Sequence, residues 1–256
     1  MPPSPEPSPD PTQNPALAGA APDLAALDSL VVDCRACPRL VAWREQVGRE
    51  RRAAFATQDY WARPVPSFGD PAAGILVVGL APAAHGGNRT GRMFTGDRSG
   101  DFLIAALHRV GLASQATSVA RGDGLALTGA RLAAPVHCVP PENKPTPDER
   151  RTCSVYLARE VQLVAPRVVV TLGAFGWNAT LDVLAGAGWA VPRPRPRFGH
   201  GAEVVVSRET SETGVGPGQL ILLGCFHPSP HNTFTGRLTP DAMDALLARA
   251  RALAAS

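Results

Sequence analysis

The stretch Ile75-Leu76-Val77-Val78-Gly79 sets the architecture of the chain, because four consecutive apolar residues before a glycine predict a strand that is buried on both faces. Comparable apolar runs lie at Arg167 to Leu172 and at Leu220 to Leu223. Segments with helical spacing separate these runs, and strands that alternate with helices form parallel sheets covered by helices. We therefore expect an α/β fold, a three-layer α/β/α sandwich around a central, mainly parallel four-stranded sheet.

The remaining elements complete this sandwich. We place the second strand of the chain at Pro135 to Val139, and a further strand at Glu203 to Val206 within an irregular excursion from Gly186 to Gly218. Asp23 precedes helically spaced leucines and is a candidate cap of the first helix. Later helices are expected at Asp101 to Val110, Pro147 to Val164, Ala174 to Leu184 and Pro240 to Leu253.

The chain is long enough for one sizeable core, since it has 256 residues of which 45% are hydrophobic. Residues 1–22 differ from the rest, because they are rich in proline and contain few side chains that could fill a core. Such a composition is typical of disordered segments. We therefore predict a Pro-rich disordered tail at 1–22 and a single domain at 23–256.

The formal net charge is +3, and the basic side chains are almost all arginine, because Lys144 is the only lysine. Arginine suits bidentate contacts with phosphates and bases, although a GC-rich genome would produce the same bias. No apolar run is long enough to span a membrane, and no secretory signal is recognisable. We expect a reducing cytoplasm, where cysteines serve as ligands or buried thiols rather than in disulfides.

Four cysteines are spaced like the ligands of a metal centre. Cys34 and Cys37 form a CxxC motif at a helix end, and Cys138 and Cys153 lie far downstream. Four thiolates suit both a tetrahedral zinc ion and a four-iron cluster, and the spacing leaves this choice open. The alternative is that Cys138 and Cys153 are ordinary buried thiols. Cys225 has no nearby partner in the sequence, and we interpret it as a core thiol.

The first of three polar loops runs from Gly79 to Gly100 and is rich in small residues that let a ligand approach the backbone. Neither GxGxxG nor GxxxxGK[ST] is present, which argues against a Walker-type NTPase. Phe94 is a candidate platform for stacking on a base, or else a loop anchor that packs on the core. Asp97 precedes a predicted helix and is a candidate N-terminal cap.

The other two loops each present one polar side chain from a stiff backbone. Asn143 lies between pairs of prolines, where it could orient a water molecule, read a base edge or simply occupy a turn. His227 follows a buried strand and precedes Pro228. This position could direct an imidazole at developing negative charge. All three loops follow strands, and ligands of parallel sheets bind beyond the carboxyl ends of the strands.

Three motifs, GLAPAAHGGNRTGRMFTGD, HCVPPENKPTP and HPSPHNTFTGRL, together with the spaced cysteines, resemble the family 5 (type B) uracil-DNA glycosylases. The resemblance extends from Val31 to Ala250. It implies a uracil-DNA glycosylase-like sandwich and a [4Fe–4S] cluster held by Cys34, Cys37, Cys138 and Cys153. It also implies a base excision repair enzyme that hydrolyses the N-glycosidic bond of uracil, hypoxanthine and xanthine in damaged double-stranded DNA and leaves an abasic site.

The resemblance further implies roles for single residues. The related family 4 enzymes carry an acidic residue at the position of Leu80, and Asp97 is the expected substitute, with Asn143 helping to place the water. His227 matches the histidine that stabilises charge on the departing base, and Phe94 matches the aromatic that stacks on uracil. Base contacts are also expected from Gly79, Leu80 and Ala81, and DNA contacts from His85, Gly86, Ser229, Asn232 and Arg237.

By the same resemblance we expect a monomer, associated with the nucleoid of a bacterial or archaeal cell. Two other functions stay open. One is a non-catalytic or DNA-trapping cluster protein, which the apolar Leu80 favours, although the prolines among Arg193, Arg195 and Arg197 do not match the basic insertion of a trapping relative. The other is a zinc-stabilised nucleotide hydrolase.

Overall fold

The structure is a computed structural model, and it describes residues 10–208 and 218–255. Helices and strands alternate over most of this range, as the sequence predicts. The strands are β1 (Phe68–Gly69), β2 (Ile75–Val78), β3 (Ala130–Ala133), β4 (Val168–Leu172), β5 (Glu203–Ser207) and β6 (Gln219–Cys225). The helices are α1 (Asn14–Leu17), α2 (Leu24–Val32), α3 (Pro38–Glu50), α4 (Gly87–Thr90), α5 (Arg98–Arg109), α6 (Pro147–Val164), α7 (Gly173–Gly186), α8 (Pro230–Phe234) and α9 (Pro240–Ala255).

The sheet of the described chain has six strands in the order β1-β3-β2-β4-β6-β5. Its centre consists of the parallel strands β3, β2, β4 and β6, in which Val77 lies opposite Leu132 on one side and Val170 on the other. The short strand β1 and the strand β5 pair antiparallel at the two edges. The predicted mainly parallel sheet is confirmed, and the edge strands extend it beyond the four strands expected.

Helices cover both faces of this sheet. Ile75 and Val77 pack into a cluster that includes apolar side chains of α5 and α9, whereas Leu76 and Val78 pack into a cluster with α6 and α7. This division follows from the strand geometry, because successive side chains point to opposite faces. The predicted three-layer sandwich is therefore confirmed, and each face of β2 contributes to a separate apolar layer.

The predicted second strand is wrong in position. The strand lies at Ala130–Ala133 rather than at Pro135 to Val139, which forms a buried irregular segment. Arg131 is the reason the strand looks polar in the sequence. It is only 4% exposed, because its Nε donates to Glu160 Oε1 of α6 at 2.6 Å. A buried ion pair thus replaces an apolar contact and hides the strand from an apolar pattern.

The N-terminal segment also differs from the expectation of a tail without a core role. Ala18 and Ala21 are buried against α2 and α6, and Asn14 donates from Nδ2 to Leu30 O at 2.8 Å. Residues 1–9 of the predicted tail lie outside the described residues.

The ends of two helices follow the local sequence. Asp23 caps α2 by accepting from Ala26 N at 2.8 Å, as predicted. Helix α6 begins at Pro147 with a reciprocal capping box formed by Thr146 and Glu149. None of the helices in the described ranges is long and apolar enough to cross a membrane.

Candidate active site

A pocket of about 510 Å³ opens at the carboxyl ends of the parallel strands. Gly79 follows β2, Ala134 follows β3 and His227 lies two residues beyond β6, so three of the four parallel strands lead into its walls. The pocket brings together all the residues predicted as catalytic or base-binding, and Ser229 with them. These residues are Gly79, Leu80, Ala81, Phe94, Asp97, Asn143, His227 and Ser229.

The two carboxylate oxygens of Asp97 have different environments. Its Oδ1 accepts from Gly100 N at 3.0 Å and caps α5, so the predicted capping role is confirmed. Its other oxygen faces Gly86, where an added Cβ would lie 1.9 Å from Oδ2. Burial raises the pKa of Asp97. One carboxylate therefore begins a helix and also lines the pocket, in the space that a glycine leaves open.

Phe94 forms a wall of the pocket against the backbone of Gly79. A Cβ at Gly79 would lie 2.7 Å from the Phe94 ring, so the close approach requires glycine. Phe94 itself has a φ of +49°, which is uncommon for an aromatic residue. The surrounding loop has to hold this conformation.

A buried network around Arg92 holds the loop next to Phe94. The Arg92 guanidinium donates to both carboxylate oxygens of Asp123, at 2.8 Å each, and its Nε donates to Thr95 Oγ1 at 2.8 Å. Ser118 lies 2.7 Å from Thr95 through the hydroxyl oxygens, and its carbonyl accepts from Gly96 N. The connection between α5 and β3, which contains Ser118 and Asp123, thereby holds the first loop through hydrogen bonds.

Asn143 lines the pocket from the 3₁₀ turn Pro141–Asn143. Its φ is +57°, a left-handed conformation that asparagine tolerates better than most residues. Asn143 is therefore both a turn residue and a residue of the pocket lining, and the two predictions for it are compatible.

His227 is half-buried in the pocket wall. Burial lowers its pKa to about 4, so the imidazole is neutral near pH 7. Its Nδ1 has no hydrogen-bond partner within the described chain. A neutral ring can present an N–H group to an acceptor without carrying charge itself.

Four of the residues predicted to contact DNA make contacts with other residues of the protein. His85 lies within the first loop with its Nδ1 3.0 Å from Tyr60 Oη, and Gly86 packs against Asp97 rather than lining the pocket. Asn232 is turned inward and donates from Nδ2 to His227 O at 2.8 Å. The Arg237 guanidinium lies over the Phe226 ring, 4.3 Å from its centroid.

One exposed aromatic near the pocket is absent from the sequence prediction. Phe234, at the end of α8, is 66% exposed, and the Arg98 guanidinium lies 4.4 Å from its ring centroid. Arg98 itself lines the pocket. The sequence signal was an aromatic residue within a polar loop, the same signal that identified Phe94.

The four predicted ligand cysteines lie near one another in the structure. Cys34, Cys37, Cys138 and Cys153 line one small cavity between α2, α3, α6 and the segment after β3, and none of them forms a disulfide. No three His, Cys, Asp or Glu side chains of residues 10–208 and 218–255 converge on a single metal-ion position. Cys225 lies apart in the core with its Sγ 3.6 Å from Met243 Sδ, as the core-thiol interpretation predicts.

A buried cation next to the cysteines provides a test of what they could hold. Arg44 is 2% exposed, and its Nη1 donates to Cys34 O at 3.2 Å and to Cys138 Sγ at 3.0 Å. Its Nε has no partner, and no carboxylate pairs with it in the described part of the chain. Because a buried charge requires a counter-charge, this cavity fits an anionic group, and a cluster bound by four thiolates is anionic.

Comparisons with known proteins agree with this geometry. A family model described as the uracil DNA glycosylase superfamily matches residues 66–251. A type-5 uracil-DNA glycosylase of Mycobacterium tuberculosis is 51% identical over 240 residues, which cover 93% of this chain and 84% of that protein. A type-5 uracil-DNA glycosylase of Thermus thermophilus is 47% identical over 234 residues, covering 91% and 99%. The chain belongs to family 5 of the uracil-DNA glycosylase superfamily.

The family 5 assignment confirms the resemblance seen in the three loop motifs. A type-4 uracil-DNA glycosylase of Pyrobaculum aerophilum is more distant, at 29% identity over 163 residues, or 63% of this chain and 66% of that protein. Leu80 and Asp97 both line the pocket, from opposite ends of the first loop.

Proposed function

We propose that this family 5 protein is a monofunctional uracil-DNA glycosylase that also releases hypoxanthine and xanthine from double-stranded DNA and leaves an abasic site. The observation that carries this proposal is the single pocket shared by Phe94, Asp97, Asn143 and His227. The type-5 names of its relatives support uracil as a substrate. We propose that it acts as a monomer, associated with the nucleoid.

In the first step, the damaged nucleotide rotates out of the duplex and its base enters the pocket. Unstacking costs a few kcal/mol and is easier at a mismatch, which favours deaminated bases. Phe94 stacks on the base, and the backbone of Gly79 and Leu80 lies at its edge. His85, Ser229, Asn232 and Arg237 were predicted to contact the DNA, and the inward hydrogen bond of Asn232 makes this role less suitable for it.

In the second step, the bond between the sugar C1′ and the base nitrogen breaks, and its electron pair leaves with the base. The sugar becomes oxocarbenium-like, as in glycoside hydrolysis. Neutral His227 donates a hydrogen bond to the anionic base, together with backbone amides near Gly79. A neutral donor stabilises the charge without first having to be protonated, which suits the low pKa of His227.

In the third step, water adds to C1′. The Asp97 carboxylate orients the water and accepts its proton while the oxygen bonds to C1′, and Asn143 fixes the water through its amide. The proton held by Asp97 then passes to the anionic base, directly or through water, so the base leaves neutral and the carboxylate is restored. Asp97 also balances the positive charge of the sugar before water adds.

We further propose that Cys34, Cys37, Cys138 and Cys153 hold a [4Fe–4S] cluster with Arg44 as counter-charge. The cluster would act as a structural cross-link between the N-terminal helices, the segment after β3 and helix α6. The purified protein should then show a broad cluster absorbance and about four irons for each chain, and stoichiometric zinc without iron would contradict the cluster.

Release of uracil tests the proposed reaction. A labelled duplex with one uracil should become sensitive to alkali after incubation with the protein, and single-lesion duplexes and single strands define the range of bases. Asp97→Asn should retain DNA binding and the helix cap but lose most cleavage. Full activity of Asp97→Asn would overturn the assigned role. Tight binding by the wild-type protein without base release would instead support a non-catalytic or DNA-trapping protein.

A further inference from the structure

The backbone on both sides of the His227 side chain is held by other side chains. After His227, its carbonyl accepts a hydrogen bond from Asn232 Nδ2 at 2.8 Å. Asn232 belongs to the short helix α8, so the bond closes the loop that begins at His227. At Cβ, His227 packs on Gly173, where an added Cβ would lie 3.3 Å away.

Before His227, the contact comes from the excursion between α7 and β6. The backbone N–H of Phe226 donates to His200 Nδ1, with 3.3 Å between the two nitrogens. The His200 ring also stacks on the Phe226 ring, with centroids 5.2 Å apart and planes inclined by 24°. His200 therefore contacts both the backbone and the side chain of the residue that precedes His227.

His200 is itself anchored to the sheet. Gly201 N donates to Gly224 O and Gly224 N donates to Ala202 O, both at 2.8 Å, so the segment that carries His200 pairs with the end of β6. Gly224 has to be glycine, because a Cβ would lie 2.3 Å from Gly199 O. A well-anchored acceptor can fix the direction in which the chain leaves β6.

We propose that His200 and Asn232 are positioning residues that direct the His227 imidazole into the pocket by holding the backbone on either side of it. This inference rests on the proposed function and deepens it. It also gives a role to the excursion, which lies outside the recognised motifs, and moves Asn232 from DNA contact to support of His227.

The test measures the rate of uracil release under single turnover and, separately, the affinity for a duplex with an uncleavable 2′-fluorinated deoxyuridine. His200→Phe keeps an aromatic ring and removes the acceptor, whereas His200→Asn places an amide oxygen near the position of Nδ1. Asn232→Leu keeps the size and removes the donor. His108→Phe, at an exposed position of α5, is the matched control.

We expect His200→Phe and Asn232→Leu each to lower the single-turnover rate about tenfold, the effect of one lost hydrogen bond, while the affinity stays within about twofold. His200→Asn should recover most of the rate, and His108→Phe should match the wild type. In a His227→Ala background, neither His200→Phe nor Asn232→Leu should slow the reaction further, because both act through His227.

Three results would overturn the proposal: wild-type rates in His200→Phe and Asn232→Leu, a loss of affinity without a loss of rate, or undiminished effects in the His227→Ala background. Asn232 lies on the short helix α8 outside the core clusters, so its variant remains informative even if His200→Phe does not fold. Should the wild-type protein release no base at all, the proposed function fails, whereas an active wild type with unaffected variants refutes only the positioning roles.

Discussion

Gly86 matters because of what its missing side chain allows. The Asp97 carboxylate occupies the space where a Cβ of residue 86 would be, and glycine is the only residue that leaves it free. Gly86 was predicted to contact DNA, but the contact that the structure gives it is with the proposed catalytic group. The sequence could suggest a close backbone approach at a glycine, yet it could not tell that the approaching group would be Asp97.

Gly86→Ala should displace the Asp97 carboxylate and slow uracil release about a hundredfold, the usual cost of a 1 Å misplacement in an active site. The affinity for uracil-containing DNA should change little, because the substitution adds one methyl group inside the loop. Single-turnover rates and equilibrium binding measure the two effects. Gly186→Ala, where nothing lies within 4 Å of an added Cβ, is the control. Wild-type rates in Gly86→Ala would refute the geometric argument.

The pH dependence should report on Asp97 rather than His227. Burial raises the pKa of Asp97, and the proposed mechanism needs its ionised form, so the rate should fall as the pH drops through this raised pKa. Burial lowers the pKa of His227 to about 4, so the imidazole is neutral near pH 7. We expect His227→Gln to keep the acid limb of the rate profile and Asp97→Asn to lose it. An acid limb that persists in Asp97→Asn would assign it to another group.

Among the secondary-structure elements and their connections, the loop between α5 and β3 supports the first loop through one buried ion pair. Arg92 and Asp123 have side chains that are 6% and 9% exposed. Asp123 also accepts from three backbone N–H groups, of Val119, Ala120 and Leu125. The Arg92 hydrogen bonds hold the pKa of Asp123 well below its usual range. This pair orders two loops at once.

Asp123→Ala should lower the free energy of unfolding by about 3–5 kcal/mol, because it leaves a buried guanidinium without its partner. Asp244→Ala, which breaks the exposed pair with Arg109, should cost no more than about 1 kcal/mol. Urea denaturation at neutral pH compares the two. Equal losses in both variants would mean that the Arg92 pair has no special role.

The sequence predicted elements well where burial is apolar and failed where burial is polar. Strand β2 and the apolar runs of β4 and β6 lie where three or four apolar residues follow one another. The predicted position of β3 was wrong because the strand contains Arg131, which is buried as an ion pair. The residues that line the pocket were predicted through their loops. His200 was not predicted, because its contact with the backbone of Phe226 joins residues far apart in the sequence.

Across the molecule as a whole, the N-terminal helices are joined to the sheet domain by polar contacts and by the cysteine cavity. Arg39 of α3 pairs with Glu149 of α6 at 2.6 Å, and Arg159 of α6 donates twice to Ala21 O. A bound cluster would join the same boundary covalently, through Cys34 and Cys37 on one side and Cys138 and Cys153 on the other. Its loss should therefore loosen the whole N-terminal part rather than the pocket alone.

Cys153→Ala should abolish the cluster absorbance and lower Tm by at least about 5 °C, because a bound metal centre contributes directly to folding free energy. Cys225→Ala also removes a buried thiol but should keep the absorbance. Limited proteolysis should show new cleavage within residues 10–50 of Cys153→Ala only. Unchanged absorbance in Cys153→Ala would contradict the proposed ligand set.

Asp97 both caps α5 and lines the pocket, and the two roles respond differently to substitution. Asparagine caps a helix about as well as aspartate, so a chain carrying the Asp97→Asn substitution would keep α5 and the DNA-binding surface. Under the proposed mechanism, it would also occupy lesions without processing them. A change of one nucleotide in the gene would thus convert the proposed enzyme into a protein that binds damage and leaves it in place.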